Sequence, residues 1–202
     1  MLLPAQSIGN TSVRSNSANT LGQLWLWRFA KVIAATALLA ISAHVSISLP
    51  FTPVPVTMQT FAVVLLGILL GPASSLLVMV MYLLEGAIGL PVFSPHGPGG
   101  IAQLAGPSAG YLLSYPFAAS LAGSASSFLR RSMLPSLATL TASILAEAVI
   151  FTSGMSWLIA FLHLSVLRAF YAGLIPFLPG ELIKVALLVG TLAIFQHARR
   201  IR

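Results

Sequence analysis

The 202-residue chain has no cysteine and only 3 acidic residues. Without cysteine there is no disulfide framework and no thiolate metal site, and the redox compartment stays open. Charged residues make up 6% of the chain, against about 25% in a soluble domain. So few charges could not cover a water-facing surface, and a disordered chain needs the reverse composition. What stands in place of charge is apolar surface: 57% of residues are hydrophobic and the mean hydropathy is +0.97. The solvent for most of this chain is lipid.

The net charge is +7, but position argues against nucleic acid. The basic residues flank apolar segments instead of forming a patch interleaved with aromatics. Nucleotide and metal-hydrolase signatures are also missing. There is no GxxxxGK[ST] to cradle ATP phosphates and no HExxH, and His44, His96, His163 and His197 are scattered. GPGG at 97–100 has no helix pattern behind it.

A helix needs about 20 apolar residues to cross a bilayer. Six candidate spans follow: Leu24–Ala43, Thr57–Leu70, Ala73–Ile88, Pro107–Leu129, Leu134–Leu162 and Pro179–Ala198. The second and third are short and divided by Gly71-Pro72, a turn signal. The fifth is long enough to bend or to end along the interface. Residues 1–23 are rich in Ser, Asn and Thr and read as a flexible cytosolic tail. Residues 24–198 then form the six-helix domain, and 199–202 a basic cytosolic tail. A signal peptide is the rival reading of the first apolar segment; the further spans need a membrane regardless.

Lys and Arg set the orientation. Arg14, Arg28, Lys31, Arg130, Arg131, Arg199, Arg200 and Arg202 all fall on one side if the spans number six. That side is cytoplasmic, with both termini, and Arg168 is the external exception. The two external loops, SISLPFTPVPVT at 46–57 and LPVFSPHGPGGIAQLAGP at 90–107, carry no Lys or Arg. They read either as packed lids over a ligand or as tight interfacial packing.

All three acids, Glu85, Glu147 and Glu181, lie inside spans, as does Lys184. Ionisable groups there are functional candidates by default. Glu181 falls in the first turn of the last span, where the helix dipole favours a carboxylate. Lys184 is three residues on and shares its face. The pair reads either as a helix cap with its own counter-ion or as an acceptor and donor facing a cavity. Glu85 lies near the outer end of the third span at similar depth. Glu147, in mid-span, reads as a structural residue, protonated or paired in the bundle. Gln59 opens the second span, and Tyr111 and Tyr115 sit one turn apart in the fourth. These are candidate ligand contacts; the aromatics serve equally as interfacial residues, as do Trp25 and Trp27. Ala30/Ala34 and Gly67/Gly71 have the small-residue spacing that lets helices approach closely.

Five blocks carry a further resemblance: PVPVTMQT at 53–60, LLGILLGP at 65–72, YLLEGAIGLPVF at 82–93, LAGPSAGYLLSYPFAA at 104–119 and IPFLPGELIK at 175–184. Together, and in this order, they resemble the BioY family, the biotin-binding S components of energy-coupling-factor (ECF) transporters. The resemblance implies an all-α integral membrane protein, six transmembrane helices in an S-component-like bundle. It implies high-affinity biotin capture from outside at the bacterial cytoplasmic membrane, with no catalysis and no cofactor in this chain. ATP would be used by two partner ATPase subunits through a membrane T component, docked at the small-residue face of the first helix, here Ala30 and Ala34. The family's acid and Lys at the start of the sixth helix match Glu181 and Lys184. Glu replaces the family's Asp at 181, and Glu85 stands where the family often has an apolar or amide residue. Other readings stay open: another vitamin on the same fold, a proton-coupled permease using the intramembrane acids, or an intramembrane enzyme.

Overall fold

The computed structural model describes residues 11–200, with side chains described for these except 11–22, 24 and 195–200. The side chains of Arg14, Arg199, Arg200 and Arg202 therefore lie outside the described residues. The first helix, α1, runs Thr11–His44. It begins well before Leu24, so residues 11–23, expected to belong to a flexible tail, have helical backbone.

The chain divides into residues 1–35 and 36–202. In the first unit, Trp25, Trp27 and Phe29 are exposed, as are Ala30 and Ala34. The Arg28 guanidinium lies 5.4 Å from the centre of the Trp25 ring, a cation–π contact.

In the second unit, a two-residue ribbon closes the first apolar loop: β1 (Ser46–Ile47) pairs antiparallel with β2 (Val56–Thr57), Ser46 opposite Thr57. Helix α2 (Gln59–Leu70) follows. Gly71 ends it at φ +77°, a conformation that a side chain would strain. Pro72 then opens α3 (Pro72–Ala87), where its missing N–H costs nothing. The second loop contains a single short helix, α4 (Gly100–Leu104). Next come α5 (Ala109–Leu129) and α6 (Pro135–Leu162). Of the two expectations for this long segment, a bend or an end along the interface, the bend is absent: α6 is continuous, and the chain turns after it at His163, in the left-handed region at φ 52°. Helix α7 (Val166–Gly173) and α8 (Leu178–Arg200) complete the fold. The ribbon, α4 and α7 are too short for periodicity to reveal.

Helix α5 is the central element, packing along α2, α3 and α6. Its buried side is built from Ala118, Ala119, Ala122, Gly123 and Ser126. A Cβ on Gly123 would come within 2.6 Å of the Gly67 carbonyl oxygen and 2.9 Å of the Gly71 carbonyl carbon. The small residues thus let two backbones touch, as expected where lipid gives no hydrophobic drive and dispersion must hold helices together. Leu69, Leu77, Leu84, Leu140, Ile144, Ile183 and Leu187 point outward and exposed. An apolar exterior around a close-packed interior marks an integral membrane protein. Among the described residues, two helical stretches, Trp25–His44 and Pro135–Leu162, are long and apolar enough to cross a bilayer, and Val166–Gly173 with Leu178–Ile194, bent by 51°, makes a third when the bent pair is counted as one span. Helices α2 and α3 are shorter.

Gly123→Val should push α5 away from the α2–α3 turn and cost about 1–3 kcal/mol, the usual range for overpacking. A thermal midpoint in detergent equal to that of the unmodified protein would show that this crossing is looser than described.

Candidate ligand-binding site

The two apolar loops converge on one cavity. Val54, Pro55 and Thr57 reach it from the first loop, and Ser94, Gln103 and Ser108 from the second. Gln59 and Thr60 come from α2, Tyr111, Leu112 and Tyr115 from α5, and Phe151 from α6. Phe177 and Glu181 close it from the start of α8. Its free volume is only about 40 Å³, room for water-sized molecules. Of the two readings of the loops, the lid is the one the packing supports.

One wall is electrostatic. Lys184 Nζ donates to Glu181 Oε1 at 2.7 Å, to Thr60 Oγ1 at 3.0 Å and to the Thr57 carbonyl. An ammonium has three donors, and all three are used. Thr60 Oγ1 donates in turn to Glu181 Oε2 at 2.8 Å. Glu181 and Lys184 are 3% and 5% exposed, so these bonds offset the several kcal/mol that burying each ion costs. The cap reading and the cavity reading each hold a part of the truth. The counter-ion is present, but the carboxylate oxygens go to Thr60 and Lys184, and Glu181 faces the cavity. Lys184 sits behind it and does not line the wall.

A second network ties the loops to the helices. Thr57 Oγ1 donates to Gln59 Oε1 at 3.1 Å, Gln59 Nε2 to the Tyr82 hydroxyl at 2.7 Å, and Tyr82 to the Val92 carbonyl at 2.8 Å. Phe93 packs edge-on to Tyr82 at 5.4 Å and lies over Gly86, where a Cβ would collide with its ring. In the same loop, Gln103 accepts from the Gly99 N–H at 3.3 Å and donates to Ser108 at 3.2 Å.

The third wall is aromatic. Tyr111 donates to the Gly173 carbonyl at 2.7 Å. It stacks on Phe177 at 6.1 Å and meets Phe151 edge-on. Gly154 on α6 leaves room for the Tyr111 ring.

Of the residues singled out in the sequence, Gln59, Tyr111, Tyr115 and Glu181 line this cavity. Glu85 does not; it is half-buried on α3, away from the lining. Ala30 and Ala34 belong to the other unit. Glu147, read as structural, is half-buried and borders a separate groove between α6 and α8 that Glu181 also borders. Thr60, Tyr82, Gln103 and Phe177 escaped the sequence reading. Ser/Thr, Gln and aromatic residues at isolated positions give no periodic signal, and the partners of Thr60 and Tyr82 are distant in sequence.

An α-helical membrane protein with a loop-capped cavity, a buried ion pair and an aromatic wall is the architecture of a membrane subunit that encloses a small ligand. The comparisons with known proteins narrow this class. The BioY family matches residues 14–200, and the chain belongs to it. A probable biotin transporter BioY of Pyrococcus horikoshii is 36% identical over 150 residues, 74% of this chain and 84% of that protein. The biotin transporter BioY of Rhizobium etli is 36% identical over 169 residues, 80% of this chain and 87% of that protein. The crystal structure of the S-component for biotin from an ECF-type ABC transporter aligns with a TM-score of 0.76 at 25% identity, covering 87% of this chain and 93% of that one.

Tyr82→Phe would strand the Gln59 amide and the Val92 carbonyl at the cost of a lost buried partner, about 1–3 kcal/mol. Faster amide hydrogen exchange should appear in both loops at once. Exchange confined to residues near position 92 would disprove the link through Gln59.

Proposed function

We propose that this chain captures biotin in the loop-capped cavity, as the substrate-specificity subunit of an ECF-type transporter. The observation that carries this reading is the buried Glu181–Lys184 pair at the cavity wall, in a member of the BioY family. Biotin's ureido ring offers two N–H donors and one carbonyl. Glu181 accepts from the N–H side. Gln59, Gln103 and Ser108 supply polar atoms around the rest of the ligand, and Tyr111, Phe151 and Phe177 give the apolar bicycle a flat surface. The free volume is far below the roughly 300 Å³ or more of a usual ligand pocket, so the loops move outward to admit the vitamin. Lys184 either holds Glu181 in place or turns to meet the ligand.

The same reading carries the topology. Residues 24–198 cross the membrane six times, both termini are cytoplasmic, and the two loops face outward, where a scarce vitamin is met. It also carries the partners: a T component docked at Ala30 and Ala34, and two ATPase subunits that supply ATP hydrolysis. This chain then binds and does no catalysis. Glu85 is outside the binding set in this reading, as its half-buried position on α3 suggests.

The test is equilibrium binding of labelled biotin to the purified chain in detergent, competed by thiamine and riboflavin. Biotin should bind selectively. Displacement by thiamine or riboflavin at equal concentration would make another vitamin the ligand. Glu181→Ala should weaken binding at least tenfold, about 1.4 kcal/mol or more. Lys184→Ala should do the same and also lower stability, because it leaves a buried carboxylate unpaired. The double variant Glu181→Gln/Lys184→Met removes both charges together; it should fold better than Lys184→Ala yet still bind weakly.

A further inference from the structure

The polar side chains around the loop-capped cavity hydrogen-bond to the protein itself, with one exception. Thr57 bonds to Gln59, Thr60 to Glu181, and Gln103 to Ser108. Ser94 Oγ accepts from the His96 N–H at 3.5 Å, and Tyr111 donates to the Gly173 carbonyl. The exception is Tyr115. It lines the cavity and is 3% exposed, yet its hydroxyl has no hydrogen bond to any of the described residues. Nor is that hydroxyl sealed into the packing. Among the described residues, Thr139 Oγ1 is the one fully enclosed side-chain polar atom without a partner, and Thr139 is not in the lining. The Tyr115 hydroxyl therefore meets free space, and the free space that Tyr115 borders is the cavity.

A buried hydroxyl without a partner is costly, and native interiors keep few of them. Phenylalanine would fill the same place without that cost. A lone hydroxyl at a cavity wall is completed by what enters the cavity. Tyr111 makes the contrast. It stands one turn away on the same helix, but its hydroxyl is spent on Gly173, so it offers the cavity a ring. Tyr115 offers an O–H, from α5 and not from either loop.

The ligand's own groups decide what that O–H meets. An ionised Glu181 is an acceptor only. It serves the N–H side of a ureido ring and cannot serve the carbonyl. Lys184 has all three donors engaged. Gln59 and Gln103 each already donate to a protein hydroxyl.

We propose that Tyr115 is a specificity-determining residue whose hydroxyl donates to the ureido carbonyl of bound biotin. The inference rests on the reading of the cavity as a biotin site. A site built to hydrogen-bond one ligand group rejects an analogue lacking it, because a buried polar group is then left unpaired.

The experiment compares biotin with its analogue carrying sulfur in place of the ureido oxygen. That analogue keeps both N–H groups, but sulfur is a weak acceptor. Dissociation constants are measured in detergent for the unmodified protein and for Tyr115→Phe. The unmodified protein should bind the sulfur analogue about tenfold or more weaker than biotin. Tyr115→Phe should lose about tenfold or more for biotin and much less for the analogue, the mark of a direct contact in a double cycle. Without ligand, the thermal midpoint of Tyr115→Phe should equal or exceed that of the unmodified protein, since no protein bond is lost. Tyr111→Phe, which loses its bond to Gly173, should lower it. Equal affinity of the unmodified protein for both ligands, or equal losses for both in Tyr115→Phe, would overturn the carbonyl contact and leave the biotin site standing. So would unchanged biotin binding by Tyr115→Phe, or a lowered midpoint, which would make the hydroxyl a structural group. No biotin binding by the folded, unmodified protein would overturn both readings.

Discussion

An ammonium and a carboxylate buried side by side, in a bundle solvated by lipid, constrain everything around them. Each ion costs several kcal/mol to desolvate, and attraction between them repays this only if the remaining donors and acceptors are filled. Lys184 fills its donors with Glu181, Thr60 and the Thr57 carbonyl. Thr57 is the last residue of the β1–β2 ribbon, so the first loop has to fold back to this point. Thr60 is the second residue of α2, so α2 has to start beside α8. The register of a loop and the meeting of two helices thus follow from one cation that water does not reach.

The aromatic wall is held by a different device, shape. Tyr111 fits because Gly154 has no side chain, and its hydroxyl reaches the carbonyl of Gly173. Trp157 donates to the Gly106 carbonyl at 2.9 Å, and Ser153 to that of Gly110. Helix α6 therefore clasps the start of α5 and the residues just before it over adjacent turns. This part of the site has glycine-to-ring contacts with little slack, since close-packed interiors transmit small displacements instead of absorbing them.

Much of this was legible in the chain itself. Hydropathy located the helices, Gly71-Pro72 marked the break between α2 and α3, and the three-residue spacing placed Glu181 and Lys184 together. Glu85 shows the limit. Its depth along α3 could be read, but its direction could not. The buried stripe Ser75, Val78, Met79, Tyr82 and Gly86 leaves Glu85 at its edge, and a helix hydrophobic on all sides offers no stripe to count from. Tyr82 and Thr60 were hidden for another reason. Their partners are 10 to 124 residues away, and only the packing of helices brings such pairs together. The early start of α1 had no sequence signal, because a Ser- and Asn-rich segment reads as irregular on propensity alone.

The bonds also decide which part of the closed cavity can yield. The floor, made by α5, α6 and α8, consists of interlocked rings and glycines inside long helices. The first loop is fastened by a charged donor, Lys184 to the Thr57 carbonyl. The second loop is fastened by neutral groups: Tyr82 to Val92, and Gln103 to Gly99 and Ser108. A hydrogen bond to a charged group contributes about 1.5–3 kcal/mol and a neutral one about 1. Breaking the first fastening also exposes a buried ion pair, whereas breaking the second exposes amides and hydroxyls that water readily satisfies. Opening at the second loop is therefore the lower-energy route into the cavity. It leaves Glu181 and its partners in place to meet the ligand.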